Sequence, residues 1–248
     1  RHALPTLERH GIPATVFVTT GYVGGTREFW WDALEAVLLR PGRLPDKLRL
    51  QTDGFKLEAD LGPNAEYSEP DFTVYRGWNW RSSTDPTQRH RLFRRLSAEL
   101  RRLEDGHRTR VLDELAAWAG STQRVRPDYR ALTAEEVVQL ARSGLVRIGA
   151  HSVTHPLLSC QAARRQWEEI HGSRMFLEDI LQTPVTTFAY PYGMSGKAAA
   201  IVKRAGFALA CTTRPGIVFS RRRPYHLPRL YVGDWDGDEF ERRLRSLP

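Results

Sequence analysis

Cysteine is almost missing from this chain: Cys160 and Cys211 are the only two in 248 residues. Two thiols make no disulfide framework, and these lack the close spacing of a structural zinc site, so both are expected as buried free thiols. Methionine is equally scarce, at two. No apolar run reaches the length that crosses a bilayer, so no transmembrane segment is expected. No signal-peptide pattern opens the chain at Arg1. Lysine occurs only at positions 47, 56, 197 and 203 among 37 basic residues, so arginine carries the positive charge. An Asp-Asp pair occurs nowhere.

What is present suits a folded globular chain, with 41% hydrophobic and 10% aromatic residues. The net charge of +8 raises the question of nucleic acid or an anionic surface. No recognised nucleic-acid module accompanies it. Many arginines sit on helical stretches beside acids, as in Arg94-Arg95-x-x-x-Glu99-x-Arg101-Arg102-x-Glu104-Asp105. Solvated helix faces account for that pattern, and no nucleic-acid partner is expected. Attraction to phosphate-bearing sugars stays open.

Residues 1–10 read as the end of an amphipathic helix stopped by Gly11, and Ala14 to Thr19 as a buried strand leading into a glycine-containing loop. Residues 26–128 then read as a mostly helical insertion. Phe29-Trp30-Trp31 opens a helix in which both tryptophans are expected to pack. Leu48 to Leu61 alternates around Asp53-Gly54 and predicts a hairpin. Thr84-Asp85-Pro86 predicts the start of a long helix, and Thr109 to Ala119 a second one. From Thr133 a βα rhythm returns. Thr133-x-x-Glu136 is a capping box and Gly144 a stop. Strands follow at 145–150, 185–190 and 207–212, with helices near 161–181 and 196–205. Leu230-Tyr231-Val232 is expected as a last strand and Asp238 to Leu247 as a closing helix. Repeated βα units with ligand motifs at the strand ends imply a parallel barrel. The expected fold class is α/β, in one domain over 1–248.

The sharpest motif is Gly149-Ala150-His151-Ser152-Val153-Thr154-His155-Pro156. It puts two histidines four apart directly after an apolar strand. One turn can bring both imidazoles to the same side, where they can share a metal ion. Roughly one βα repeat later comes Thr187-Phe188-Ala189-Tyr190-Pro191-Tyr192-Gly193.

Together these segments resemble the polysaccharide deacetylases, the group that includes chitin, peptidoglycan and NodB-like enzymes. His151-Ser152-x-x-His155 is similar to the metal motif, and Phe188 to Gly193 to the motif that follows it. Leu4-Pro5-x-Leu7-x-x-x-Gly11-Ile12-Pro13-Ala14-Thr15-Val16-Phe17-Val18 is similar to the family's first helix and second strand. Leu132-Thr133-x-x-Glu136-Val137-x-x-Leu140-x-x-Ser143-Gly144 resembles the helix before the metal motif. The resemblance covers about residues 1–25 and 130–235. It implies a distorted, incomplete (β/α) barrel and removal of an acetyl group from an N-acetylated carbohydrate by a divalent metal, zinc or cobalt.

Within that resemblance His151 and His155 are the metal ligands. Ser152 and Thr154 would steady the turn. The Tyr192 backbone N–H falls where the family places an oxyanion donor, with barrel packing as the other reading for Tyr190 and Tyr192. Pro191 and Tyr190 are candidates for lining the substrate site, as are Trp78 and Trp80 in the irregular Gly77-Trp78-Asn79-Trp80-Arg81 segment.

Two departures stand out. The family's Phe-Asp-Asp-Gly motif, which supplies the general base and the third metal ligand, is absent; its place, and that of the first barrel strand, would fall upstream of Arg1. Many members also carry Arg where this chain has Ala189. Arg229 is the candidate replacement, the alternative being a surface arginine. The family's general-acid histidine has no clear match; His226 is nearest by position, with a solvated side chain as the other reading. His171 is expected to face water beside Glu168 and Glu169. A non-catalytic glycan- or partner-binding member of the same fold is the alternative reading of the whole chain.

Overall fold

The structure is a computed structural model, and it describes residues 3–25, 27–79, 81–121, 125–218 and 223–246. The chain divides into two compact units, Arg1–Gly24 with Leu132–Pro248, and Gly25–Ala131.

In chain order, helix α1 (Ala3–His10) and strand β1 (Ala14–Val18) come first. The second unit holds α2 (Trp30–Leu38), β2 (Gly42–Arg43), β3 (Lys47–Thr52), β4 (Phe55–Asp60), β5 (Glu66–Tyr67), α3 (Glu69–Tyr75), α4 (Gln88–Leu100) and α5 (Asp105–Trp118). The chain then returns to the first unit with α6 (Ala134–Arg142), β6 (Val146–Ala150), α7 (Ala163–Leu181), β7 (Thr187–Ala189), α8 (Ala198–Arg204), β8 (Leu209–Cys211) and α9 (Gly237–Arg245).

The first unit is built on a four-stranded parallel sheet in the order β1-β6-β7-β8. β1 and β6 pair in register from Ala14 with Val146 to Val18 with Ala150. The sheet does not close on itself among the described residues, so the architecture is α/β with an incomplete barrel. Its core gathers Ile148 and Ala150 of β6, Ile170 and Leu177 of α7, and Phe188 of β7. Gly149 is needed where β6 crosses Phe17. A Cβ there would overlap the Phe17 ring and the Thr187 hydroxyl. Thr133 and Glu136 form the reciprocal capping box that starts α6. Gly24 N–H donates to Leu132 O over 2.9 Å. The chain therefore leaves the first unit and re-enters it at a single hydrogen bond.

The expected last strand at 230–232 is corrected. The extended segment that joins β8 lies earlier. Leu227 N–H donates to Ala210 O (2.9 Å), and Thr212 N–H donates to Leu227 O (2.8 Å). Tyr231 and Val232 are exposed instead. The closing helix forms as expected, capped by the Asp236 carboxylate on Glu239 N–H. Neither cysteine is fully buried, and Cys160 is exposed; both are free thiols, and the burial of Cys211 pushes its pKa up.

In the second unit the Asp53-Gly54 hairpin forms with register Thr52 to Phe55. Both turn residues have positive φ, 48° and 82°, as a two-residue turn matched to strand twist requires. α4 starts later than the sequence suggests. Thr87, not Thr84 or Asp85, accepts from His90 N–H as the cap, because Asp85 is engaged by the Arg94 guanidinium at 2.8 Å. α5 begins at Asp105, four residues before Thr109. Buried Arg89 ties this unit together by donating to the carbonyls of Leu38, Arg40, Gly42, Asn64 and Ala65. Trp30 is buried and Trp31 stacks on Phe29 at 4.7 Å, both as packing elements.

Candidate metal and acyl-transfer site

β6 delivers the histidine loop. His151 directly follows Ala150, and its N–H continues the sheet by donating to Val18 O (2.9 Å). The next residues leave the extended region sharply: Ser152 has φ 64° and His155 φ 57°. A left-handed backbone at a residue with a Cβ costs roughly 1–2 kcal/mol, so this geometry needs outside support. It is supplied from two sides. Thr20 and Gly21 N–H, just past β1, donate to Ser152 O (3.1 Å) and Val153 O (2.8 Å). A Cβ on Gly21 would collide with Val153 O, so only glycine allows that approach. Within the loop, His155 N–H donates to the Ser152 hydroxyl at 3.0 Å.

The second support was hidden in the sequence. Glu169 on α7 accepts from Val153 N–H (2.9 Å), Thr154 N–H (2.7 Å) and the Thr154 hydroxyl (2.6 Å). It is 1% exposed. Its helix position explains this: Gln166, Ile170, Ser173 and Leu177 share the buried face. That periodicity was available in the sequence; the adjacent Glu168, which is half-buried and paired with Arg164 and Arg165, obscured it. His171, expected in water, instead stacks on Trp167 at 4.5 Å.

The two imidazoles meet. Their ring centroids are 4.8 Å apart at 79°. His151 Nδ1 lies 2.7 Å from Ala189 O. A carbonyl can only accept, so Nδ1 carries the proton and Nε2 keeps its lone pair. Burial, aided by the positive charge of Arg229, holds the His151 pKa down to about 4, against the pull of the Ala189 bond. A neutral imidazole with an anchored Nδ1–H is the form that ligates metals. The donor chemistry of this pair therefore fits a zinc-like ion. Among the described residues no third His, Cys, Asp or Glu joins them.

The Pro-Tyr-Gly turn brings Tyr192 against the pair. Its ring lies 4.8 Å from that of His155, and its hydroxyl donates to His155 O at 3.4 Å. Tyr192 itself has φ 57°. Gly193 follows with φ 70°, where a Cβ would overlap the Thr213 side chain. Pro191 is buried beneath this turn. Tyr190 is a core residue. It is fully buried, packs on Phe188 at 5.4 Å, donates its hydroxyl to Tyr225 O (3.1 Å), and has its pKa pushed up by burial.

Arg229 is not a free surface residue. Its Nε donates to Thr212 O at 2.8 Å, and its guanidinium sits 5.7 Å from the Phe17 ring centroid. Ala189 contributes its carbonyl to His151. His226 lies exposed in the turn 224–226, with its N–H on Arg223 O. Trp78 belongs to the second unit. Its indole N–H donates to Thr84 O (3.0 Å), and its ring meets His90, Phe93 and the Arg94 guanidinium. Those contacts occupy it as a packing residue. Trp80 lies outside the described residues.

Residues 115–210, which contain the histidine loop and the Pro-Tyr-Gly turn, match the family model described as Polysaccharide deacetylase. The match takes in less than half of the chain. Several solved structures of deacetylases are similar to parts of the chain. A polysaccharide deacetylase from Bacillus cereus is 25% identical with TM-score 0.41, over 46% of this chain and 36% of that one. A Streptococcus pyogenes deacetylase in complex with acetate is 23% identical with TM-score 0.44, over 49% and 53%. A deacetylase domain from Bordetella bronchiseptica is 14% identical with TM-score 0.48, over 93% and 65%. The chain thus spans about a third to a half of the length of the first two structures. No curated protein sequence matches it.

Proposed function

We propose that this chain carries the histidine half of a metal-dependent carbohydrate N-deacetylase, acting on an N-acetylated sugar. The carrying observation is the converged His151–His155 pair, one imidazole held neutral and anchored through Nδ1–H at the end of a central strand. His151 and His155 would hold a divalent ion, zinc or cobalt. Bound there, such an ion would lower the pKa of a water and polarise the acetamide carbonyl.

The chain's own groups have distinct tasks in this reading. Ala189 O fixes the His151 tautomer and ring plane. The Tyr192 backbone N–H, presented by a left-handed turn, is the candidate donor to the oxyanion, a contact worth a few kcal/mol in comparable sites. Tyr192 also forms a wall beside His155 that limits how water and substrate approach. Arg229 places a fixed positive charge near His151, suited to orienting a carboxylate. The reading requires a carboxylate base that no Asp-Asp motif in this sequence supplies.

Equilibrium dialysis against zinc, together with acetate release from an N-acetylated oligosaccharide, tests the proposal. The protein should bind about one ion, and His151→Ala and His155→Ala should each weaken binding at least a hundredfold. Unchanged metal content in both variants overturns it. The absence of a third donor among the described residues favours one second reading, a glycan-binding member without catalysis. Sugar binding that survives chelation, without acetate release, would mark that case.

A further inference from the structure

We propose that Glu169 is the positioning residue of the histidine loop, clamping the backbone at Val153 and Thr154 and so setting the relation between the His151 and His155 imidazoles. The inference rests on the reading of that loop as metal-ligating.

Glu169 sits on α7, fourteen residues beyond His155 in the chain, and is 1% exposed. Its Oε2 takes two consecutive backbone N–H groups, from Val153 at 2.9 Å and Thr154 at 2.7 Å. Its Oε1 takes the Thr154 hydroxyl at 2.6 Å and pairs with the Arg165 guanidinium at 3.2 Å. A carboxylate offers about four lone-pair sites, and these four donors use them. Glu169 is therefore not itself a free ligand; its charge is spent on backbone.

The clamped pair lies between the two left-handed residues, Ser152 and His155. Neither is glycine, so neither favours that conformation intrinsically. A buried anion receiving two adjacent N–H groups makes strong, charge-assisted bonds, and it holds the connecting peptides in the one orientation that lets the chain turn twice. Without it the loop would relax toward extended backbone. The His155 ring would then swing relative to His151, whose own position is fixed independently by Val18 O and Ala189 O. A Gln side chain is a weaker substitute: its one amide oxygen could still accept both N–H groups, but without the negative charge, and its NH2 would face the Thr154 hydroxyl, which would have to turn to accept, and the Arg165 guanidinium, which cannot. α7 also comes close enough that a Cβ on Gly172 would touch Val153 at 3.4 Å.

The test uses the full chain, in two readouts. Amide hydrogen exchange of the metal-free protein reports the clamp directly. Zinc titration reports its consequence for the histidines. Glu169→Gln should speed exchange at Val153 and Thr154 at least tenfold while leaving β6 protected, and should raise the zinc Kd about tenfold, equivalent to about 1.4 kcal/mol. Arg165→Met, which keeps all three bonds to the loop, should change both far less. Wild-type exchange at Val153 and Thr154 in Glu169→Gln overturns the proposal. So does accelerated exchange with wild-type zinc affinity, since the clamp would then not set the ligand geometry. If Glu169→Gln does not fold, Thr154→Val removes only the hydroxyl bond, and several-fold weaker zinc binding is expected; an affinity identical to wild type counts against the clamp. Should the wild-type chain bind no zinc, the metal reading fails, and exchange at Val153 and Thr154 in Glu169→Gln still decides whether Glu169 holds the loop.

Discussion

Tyr190 and Tyr192 stand two residues apart and have opposite fates. Tyr190 is sealed in the core with its hydroxyl on Tyr225 O, whereas Tyr192 turns back onto His155. Tyr190→Phe should therefore cost about 1 kcal/mol of stability, the worth of one hydrogen bond, visible as a lower melting temperature with zinc binding unchanged. Gly193→Ala should be more severe. It adds a Cβ at φ 70° on top of Thr213, and overpacking typically costs 1–3 kcal/mol; a thermal melt checks it. The convergence of His151 and His155 was legible at this scale because two histidines at i and i+4 after a strand are chemically unusual. Glu169 was not, because a carboxylate beside another carboxylate reads as solvent-facing until the helix's burial period is followed to Ile170, Ser173 and Leu177. Nor was the service of Ala189, which acts through a carbonyl that every residue has.

Elements were legible wherever local chemistry fixes an end. The Thr133–Glu136 capping box and the Asp53-Gly54 turn appear as their residues dictate. Thr133→Ala should cost about 1 kcal/mol through the lost cap, measured by chemical denaturation. Gly54→Ala, at φ 82°, should destabilise by a similar amount through backbone strain. The starts of α4 and α5, and the extended segment beside β8, were less legible. Thr84 and Asp85 have the right chemistry for a cap, but Arg94 claims Asp85 from nine residues away. Leu230-Tyr231-Val232 has strand composition, yet the pairing partner of β8 is set by which residues reach its edge, and Leu227 reaches it first. Long-range competition of this kind leaves no mark in a local window.

For the whole molecule, acid should act through burial. His90 in the second unit is 2% exposed, ringed by Tyr67, Tyr75 and Trp78. Desolvation lowers its pKa from 6.5 to about 4, with Asp85 opposing. Between those values the unfolded chain binds the proton and the folded chain does not, so stability falls as pH drops through that window. The loss should approach about 2–3 kcal/mol at pH 4. Urea denaturation at pH 7 and pH 4.5, followed by tryptophan fluorescence, measures it. A melting midpoint in His90→Phe that falls with pH as steeply as in wild type would refute the assignment to His90.

The hydrogen bond from Gly24 to Leu132 has a consequence for how the chain reaches its fold. β1 must find β6 across all of Gly25–Ala131, and pairing at such separation is slow for a flexible chain. If the intervening segment collapses first, its two ends arrive together, and the search shrinks to a short closure. Removing residues 25–131 and joining Gly24 to Leu132 with a few glycines should then leave the refolding rate of the parallel sheet little changed, whereas a segment that collapses late predicts faster refolding on its removal, and the order in which the two regions acquire protection during refolding would show which of them leads.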